Sequence, residues 1–363
     1  MKRLLMVGWI NSPLVTEWAQ EFQARGYEVH LAGEADPSLP PAELPGLAGV
    51  HAMEALGPPG TRGRRMSAEL GELAEAIAPD LIHAHSLAFG WMAAKAGIRP
   101  LVVSAWGSDV FRVRATAKRR GRIALEGADV VLADSEALAQ AAAMLAPDAP
   151  TARIVNWGVD EERFAPGDRA ASRALVGLPP ACPVVMGVRG LDSHFNPAAL
   201  LRGFALLRDE VPDARLVLKH PHDEVPPEIG AAIEKLAIED SVTVAGRVPP
   251  AELPDWYRAA DVCVSIPSTD SSPRSVWEAL ATETPVVASD LPWAREWLTD
   301  GRDALLVPAR PEPVADALAS ILGQPELAAR LGSCGRALVT ERATHAAEMA
   351  KVSEIYETLL AAG

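Results

Sequence analysis

Three cysteines, Cys182, Cys263 and Cys334, are all that this 363-residue chain contains, and no two form a C-x-x-C pair. So sparse and odd a count argues against a disulfide framework and a thiolate metal site, and suits structural thiols in a reducing compartment. Positive charge is also scarce: 34 Lys and Arg face 48 Asp and Glu, a net charge of −14. A nucleic-acid binder needs a basic face to neutralise phosphates, so that class is set aside. No run reaches the roughly 18 charge-free apolar residues of a membrane span. The start, MKRLLMVGWINSPLVTEW, has two cations and an apolar run, but the run stops at Asn11 and no small-residue cleavage site follows. The expectation is a cytoplasmic protein, and the missing export signal argues against a two-lobed solute receptor. No short-period repeat is present, which excludes solenoids. No G-x-G-x-x-G follows the first apolar run, so two-domain dehydrogenases lack support.

What is present is a rhythm. The length exceeds that of a usual single domain, and 49% apolar content with 23% charge can build two cores. Strands are expected at RLLMVGW, EVHLAG, LIHAHS, LVVSAWG, VVLADS and ARIVNWG in the first half. In the second they fall at VVMGVRG, RLVLKH, VTVAGRV, VCVSIPS, PVVASD and ALLVPAR. Their nearly continuous hydrophobicity suits parallel strands covered on both faces. Helical patterns lie between them, such as TEWAQEFQARG with Trp18, Ala19 and Phe22 on one side. Strand and helix alternate through both halves, which predicts two doubly wound sheets. The Pro-, Gly- and Ala-rich FAPGDRAASRALVGLPPACP between them is the expected hinge. A stripe of Met349, Val352, Ile355, Tyr356 and Leu359 predicts a final helix that packs back on the body. The expected division is 1–165, 166–343 and a terminal helix over 344–363.

One stretch concentrates chemistry. In STDSSPRSVWEALATETPVVASD, Asp270 precedes Glu278 by eight residues, with Ser271, Ser272, Pro273 and Arg274 between. Ser272 reads as N-cap and Pro273 as the first residue of a helix that runs to about Thr282. Asp270 then lies in a loop at the carboxyl end of a strand, where ligands of open α/β sheets bind. The amides of the helix start offer an anion site. Arg274 and Glu278 share a helix face, either as a surface ion pair or as part of that site.

The stretch resembles the acidic–seven–acidic motif of GT-B glycosyltransferases, in particular the large retaining family 4, with Asp where most members have the first Glu. The resemblance extends over nearly the whole chain. NWGVDEERFAP is similar to the signature that ends the family's first domain, and HAHS and WGSD stand where its cleft residues do. VAGRVPPAELPDWYRAADV resembles the segments flanking the nucleotide base. The resemblance implies two Rossmann-like domains facing a central cleft. It implies a hexosyltransferase that moves a sugar from a nucleotide-sugar to an acceptor with retention and without a metal or other cofactor. The UDP-, GDP- or ADP-sugar would be held by the second domain. Glu278 would bind the ribose, Asp270 the sugar hydroxyls and Arg189 the diphosphate. The base would lie along Gly246, Arg247 and Val248. Ser271, Ser272, Pro273, Arg274 and Ser275 would line the phosphate side. On the acceptor side the implied residues are Asn11, Ser12, His85, Trp106, Gly107 and Asp109.

Three departures bear on this. RGLDSHFNP offers Arg189 without the family's following lysine, so Lys219, ending the neighbouring strand, is expected to supply that charge, with His194 the weaker candidate. INSP replaces the glycine pair of the first loop, and Trp106 stands for the histidine before Gly107. Alternatives from other classes are a GT-B epimerase or phosphorylase and a degenerate, non-catalytic nucleotide-sugar-binding relative. The acceptor is open between a small molecule, a glycan and a lipid-linked species.

Other candidates have both bland and functional readings. His83 and His85 are read as facing opposite sides of their strand, leaving His85, nearer its end, to line the cleft. Asp109 reads either as a helix N-cap or as a ligand contact. HPHD (His220, His222 and Asp223) reads first as a loop and second as a metal site. FRVRATAKRRGR gathers Arg112, Arg114, Lys118, Arg119, Arg120 and Arg122, with Arg62, Arg64 and Arg65 as an extension. It reads as a solvated helix face, or as a contact for anionic lipid at the inner face of the membrane or for a phosphorylated acceptor.

Overall fold

Every apolar run read as a strand forms one in the computed structural model, which describes residues 1–37, 39–53, 62–112, 115–220 and 224–362. The chain divides into two units, Met1–Trp157 with Glu348–Gly363, and Gly158–Ala347.

The first unit runs β1 (Arg3–Trp9), α1 (Pro13–Ala24), β2 (Glu28–Glu34), β3 (Gly49–Ala52), α2 (Arg62–Ile77), β4 (Leu81–His85), α3 (Leu87–Ala96), β5 (Leu101–Ser104), α4 (Ser108–Phe111), α5 (Ala115–Glu126), β6 (Val130–Ala133), α6 (Glu136–Leu145) and β7 (Arg153–Ile154). The strands form one parallel sheet in the order β3-β2-β1-β4-β5-β6-β7. Leu4, Leu5, Met6 and Val7 in β1 are fully buried, as a strand covered on both faces requires. The edge strand β3 has no apolar run to announce it, because its residues are only half-buried or exposed. At the other edge β7 keeps just Arg153 and Ile154, shorter than ARIVNWG suggested. Beyond it the Asn156 amide is drawn off to the buried carboxylate of Glu348, at 2.8 Å.

The second unit continues with α7 (Arg169–Leu175), β8 (Val184–Gly187), α8 (Pro197–Glu210), β9 (Arg215–Lys219), α9 (Pro227–Lys235), β10 (Val242–Gly246), α10 (Leu253–Ala259), β11 (Val262–Ser265), α11 (Arg274–Ala281), β12 (Val286–Ser289), α12 (Pro292–Trp297), β13 (Leu305–Val307), α13 (Pro311–Gly323) and α14 (Pro325–Arg342). Its parallel sheet has the order β10-β9-β8-β11-β12-β13. The expected hinge segment belongs wholly to this unit. Asp168 caps α7 by accepting from the amides of Ala170 and Ala171. The buried Arg173 then binds Asp261 at 2.6 Å and the carbonyl of Ala259. A segment tied down by a buried guanidinium is an anchor, not a flexible joint.

The last helix, α15 (His345–Ala362), enters the first unit from Glu348 onward. Met349, Val352 and Tyr356 are fully buried there, against a layer that includes Leu4, Met6, Trp18 and Phe22. Ile355 and Leu359 pack at its margin.

Candidate functional site

In each sheet the order reverses beside the unit's first strand: β1 lies between β2 and β4, and β8 between β9 and β11. Crossovers leave such a point on opposite faces and open a crevice at the carboxyl ends of the strands. The candidate residues of each unit come from the strand ends, loops and following helices at that end.

In the second unit Arg189 follows β8, Lys219 ends β9, and Asp270 lies between β11 and α11. Arg189 Nη2 stands 2.8 Å from Asp270 Oδ2. Its Nη1 donates to Ser275 Oγ at 3.3 Å, and its guanidinium carbon lies 4.6 Å from the centre of the Phe195 ring. One turn along α11, Arg274 Nε is 3.0 Å from Glu278 Oε1, the four-residue pairing that the sequence spacing allows. The Tyr257 hydroxyl donates to the other oxygen, Oε2, at 2.7 Å. Glu278 is only 6% exposed, so these two donors compensate its lost hydration. Burial pulls the Lys219 pKa down; Glu278 opposes that, while Arg189 and Arg274 add to it, so the ammonium lies within electrostatic reach of all three. Gly246 pairs with Lys219 across β10 and β9, after a bulge from Val244. It adopts φ of +61°, which glycine tolerates without strain, and β10 ends there, before Arg247 and Val248.

The start of α11 differs from the sequence expectation. Pro273 is the N-cap and Arg274 the first helical residue, because Pro273 keeps an extended ψ of 121°. Ser272, expected to cap, is buried and accepts from Trp277 Nε1 at 2.8 Å instead. Ser271 is buried beside it, and its amide donates to Asp270 Oδ1 at 3.0 Å. His194 lies against the Phe195 ring at 3.6 Å between centres. Nothing in the sequence singles out Tyr257: it stands 21 residues before Glu278, and only the packing of α10 brings them together. A concavity of about 750 Å³ lies elsewhere in the unit, lined in part by Gly167, Arg169, Arg258 and Thr284. Two of its three arginines are already committed, Arg169 to Asp261 and Arg258 to the carbonyls of Ala165 and Arg163.

In the first unit the two histidines of β4 contradict their expected split. Residues two apart on a strand share a face, and the His83 and His85 rings stack at 4.2 Å between centres. Both are fully buried. His83 bonds Tyr356 Oη through Nδ1 at 2.6 Å and Ser104 Oγ through Nε2 at 2.7 Å. Neither His85 nitrogen has a hydrogen-bond partner among the described residues. Burial lowers its pKa to about 3, and His83 lies well below its usual value through burial and then through His85. Gly8 on β1 makes the room, since a Cβ there would come within 3.2 Å of the His85 Cβ. Trp18 meets His85 edge-on at 5.3 Å, and Trp106 packs on Trp157 at 5.4 Å.

Asp109 is not a helix N-cap: Gly107 takes that position in α4. The Asp109 carboxylate accepts from the amides of Leu87 at 2.7 Å and Trp106 at 2.9 Å, tying the loop after β4 to the loop after β5. Burial pushes its pKa up to about 6 against those bonds. Asn11 is committed as well. Its side-chain amide donates to the carbonyls of Asp36, Leu39 and Pro40, and its carbonyl accepts from the Asp36 amide. Ser12 is buried at the N-cap of α1 and makes no side-chain cap bond.

The basic cluster is thinner than its sequence. Arg122 pairs with Glu126 and Asp148, Arg120 lies 4.7 Å from the Trp91 ring centre, and Arg62 pairs with Glu34. Arg114 lies outside the described residues, as do His222 and Asp223 of the HPHD motif, whose His220 is buried. Among the described residues no three His, Cys, Asp or Glu side chains gather as a metal site needs, and no helix is long and apolar enough to cross a membrane.

Two parallel-sheet α/β units of this kind are the GT-B fold. Sucrose-phosphate synthase from Thermosynechococcus elongatus matches with a TM-score of 0.87 at 21% identity, covering 100% of both chains. The Anabaena protein HepE, solved with UDP-glucose, matches at 0.86 and 19% identity over 99% of this chain and 100% of its own. Within that class, each half of the chain matches a glycosyltransferase family model. Residues 13–163 match the model of Glycosyltransferase Family 4, and residues 183–324 that of Glycosyl transferases group 1. D-inositol 3-phosphate glycosyltransferase 2 of Catenulispora acidiphila is 32% identical over 279 residues, 70% of this chain and 65% of its own. The D-inositol 3-phosphate glycosyltransferase of Streptomyces bingchenggensis is 32% identical over 303 residues, 76% of this chain and 66% of its own. The chain thus spans just under two thirds of the length of these curated relatives.

Proposed function

We propose that this chain transfers a sugar from a nucleotide-sugar to a small phosphorylated acceptor, with retention and without a metal. The observation that carries the donor half is the cluster of Arg189, Lys219 and Arg274 around Asp270 and Glu278 at the reversal point of the second sheet. Three cations facing two carboxylates suit a ligand that is anionic at one end and rich in hydroxyls at the other. Glu278 takes the ribose diol, Asp270 the sugar hydroxyls, and Arg189 and Lys219 the diphosphate. The backbone of Gly246, Arg247 and Val248 faces the base, and Ser271, Ser272, Pro273 and Ser275 border the phosphates. The anomeric carbon loses its bond to the phosphate oxygen and gains one to the acceptor oxygen on the same face. The acceptor's hydroxyl proton passes to the departing phosphate. Negative charge grows on that diphosphate, and fixed cations stabilise it without reorganising.

UDP is the first base to try, since HepE was solved with UDP-glucose. A phosphorylated cyclitol is the first acceptor, given the names of the relatives. On this reading the acceptor meets the first unit near His85, Trp106, Gly107 and Asp109, with Asn11 and Ser12 shaping the neighbouring loop. Among the described residues, Arg64, Arg112, Lys118 and Arg119 remain for an anionic surface, and retention of the protein by phosphatidylglycerol vesicles over neutral ones tests that contact. The main test mixes the protein with UDP-glucose and inositol phosphate. The expected result is UDP release that depends on the acceptor. Interconversion of the donor's sugar would mark an epimerase, and binding without turnover of any UDP-, GDP- or ADP-sugar would mark a binding protein; either defeats the reading.

A further inference from the structure

Arg189 and Asp270 already form an ion pair. Their charged atoms are 2.8 Å apart, with 19% and 16% of the side chains exposed. Asp270 Oδ1 is held by the Ser271 amide, while Oδ2 makes no hydrogen bond among the described residues and depends on the guanidinium. The neighbouring pair is built otherwise. If Arg274 leaves Glu278, the Tyr257 hydroxyl still serves that carboxylate. Only Asp270 is left stranded when its cation is drawn away.

We propose that Asp270 makes the site select the whole nucleotide-sugar over the bare nucleoside diphosphate, by competing with the diphosphate for Arg189. The proposal rests on the reading above that Arg189 meets the diphosphate. A nucleoside diphosphate that takes Arg189 leaves a mostly buried carboxylate with only the Ser271 amide on Oδ1 and nothing on Oδ2, which is unfavourable. A nucleotide-sugar takes the same guanidinium but brings hydroxyl donors to Asp270 in return. Selectivity is a difference of affinities, and here it is built by penalising the partial ligand. The same exchange favours product release. Once the sugar has left, Asp270 loses its hydroxyls and reclaims Arg189 from the diphosphate.

The experiment is calorimetric titration of wild type, Asp270→Asn, Arg189→Gln and the double variant, with far-UV dichroism confirming that each folds. The ligands are whichever stabilises the protein most of UDP with UDP-glucose, GDP with GDP-mannose, or ADP with ADP-glucose. Asp270→Asn is expected to bind the bare diphosphate about 3- to 10-fold tighter and the nucleotide-sugar no tighter, so that the preference collapses. In the Arg189→Gln background the gain disappears. An unchanged or weaker diphosphate affinity in Asp270→Asn overturns the proposal. So does a gain that persists without Arg189, which would assign it to the general field of the lost charge. If Arg189→Gln alone leaves diphosphate affinity intact, the donor-site reading itself falls.

Discussion

At the carboxyl ends of the first sheet the polar side chains are neutral or already committed, whereas at those of the second they are charged and paired. His83 and His85 are stacked, buried and kept uncharged. Asn11 and Asp109 spend their bonds on the protein's own loops. In the second unit Arg189, Arg274, Asp270 and Glu278 hold one another by ion pairs. The first arrangement fixes a shape, with Trp18, Trp106 and Trp157 around the imidazoles. The second stores charge. On the proposed reading, the stored charge of the second unit is what takes the diphosphate of the nucleotide-sugar, and the fixed shape of the first is what meets the acceptor.

The contrast can be broken by substitution. Glu278→Ala removes a buried carboxylate and leaves the Tyr257 hydroxyl without its acceptor. Each charge-assisted bond lost to a ribose hydroxyl is worth about 1.5–3 kcal/mol, so nucleotide affinity should fall about 100-fold. Unchanged binding by calorimetry would refute the ribose role. Lys219→Ala keeps both carboxylate pairs and loses one of three cations, for an expected drop of about tenfold in donor affinity or turnover. If neither parameter moves, Lys219 does not stand in for the missing lysine.

Acid should reveal the difference between the units as well. Free imidazoles ionise near 6.5, while in the folded chain His85 does so at about 3 and His83 well below its usual value. The unfolded chain thus takes up protons first, and stability is lost as pH falls from about 6.5 towards 3. Each histidine steepens the loss by up to about 1.4 kcal/mol per pH unit within its window. Asp109 has the opposite sign: its raised pKa lets the folded chain take the proton first, so it returns some stability as pH falls from about 6 to 3.8. In urea titrations between pH 8 and 5, where histidine uptake dominates, His85→Leu should flatten the slope by up to one proton. A slope identical to wild type would mean that His85 is not held neutral.

The fold was legible because parallel strands covered on both faces must be apolar along their length, and such runs stand out between helices. Edge strand β3 was missed for the same reason, being half-wet and unpatterned. Asp270, Arg274 and Glu278 could be grouped from sequence because one loop and one helix carry them. Tyr257 could not, since no spacing rule links it to Glu278 across two elements. The histidines of β4 show a different failure. Their identity was visible, but a strand's period of two puts them on one face, and only then does their stacking follow. Ser272 was read as a cap by residue type alone, while a buried indole on the same helix claims its hydroxyl.

The docking of α15 has a consequence for biosynthesis. A chain emerging from the ribosome usually completes its leading domain first. Here the leading sheet buries His83 against Tyr356, 273 residues further along the chain, and shares the layer of Leu4 and Met6 with Met349 and Val352. The leading sheet is thus sealed only after the second unit has been made, and until then α1 covers that face without the residues of α15.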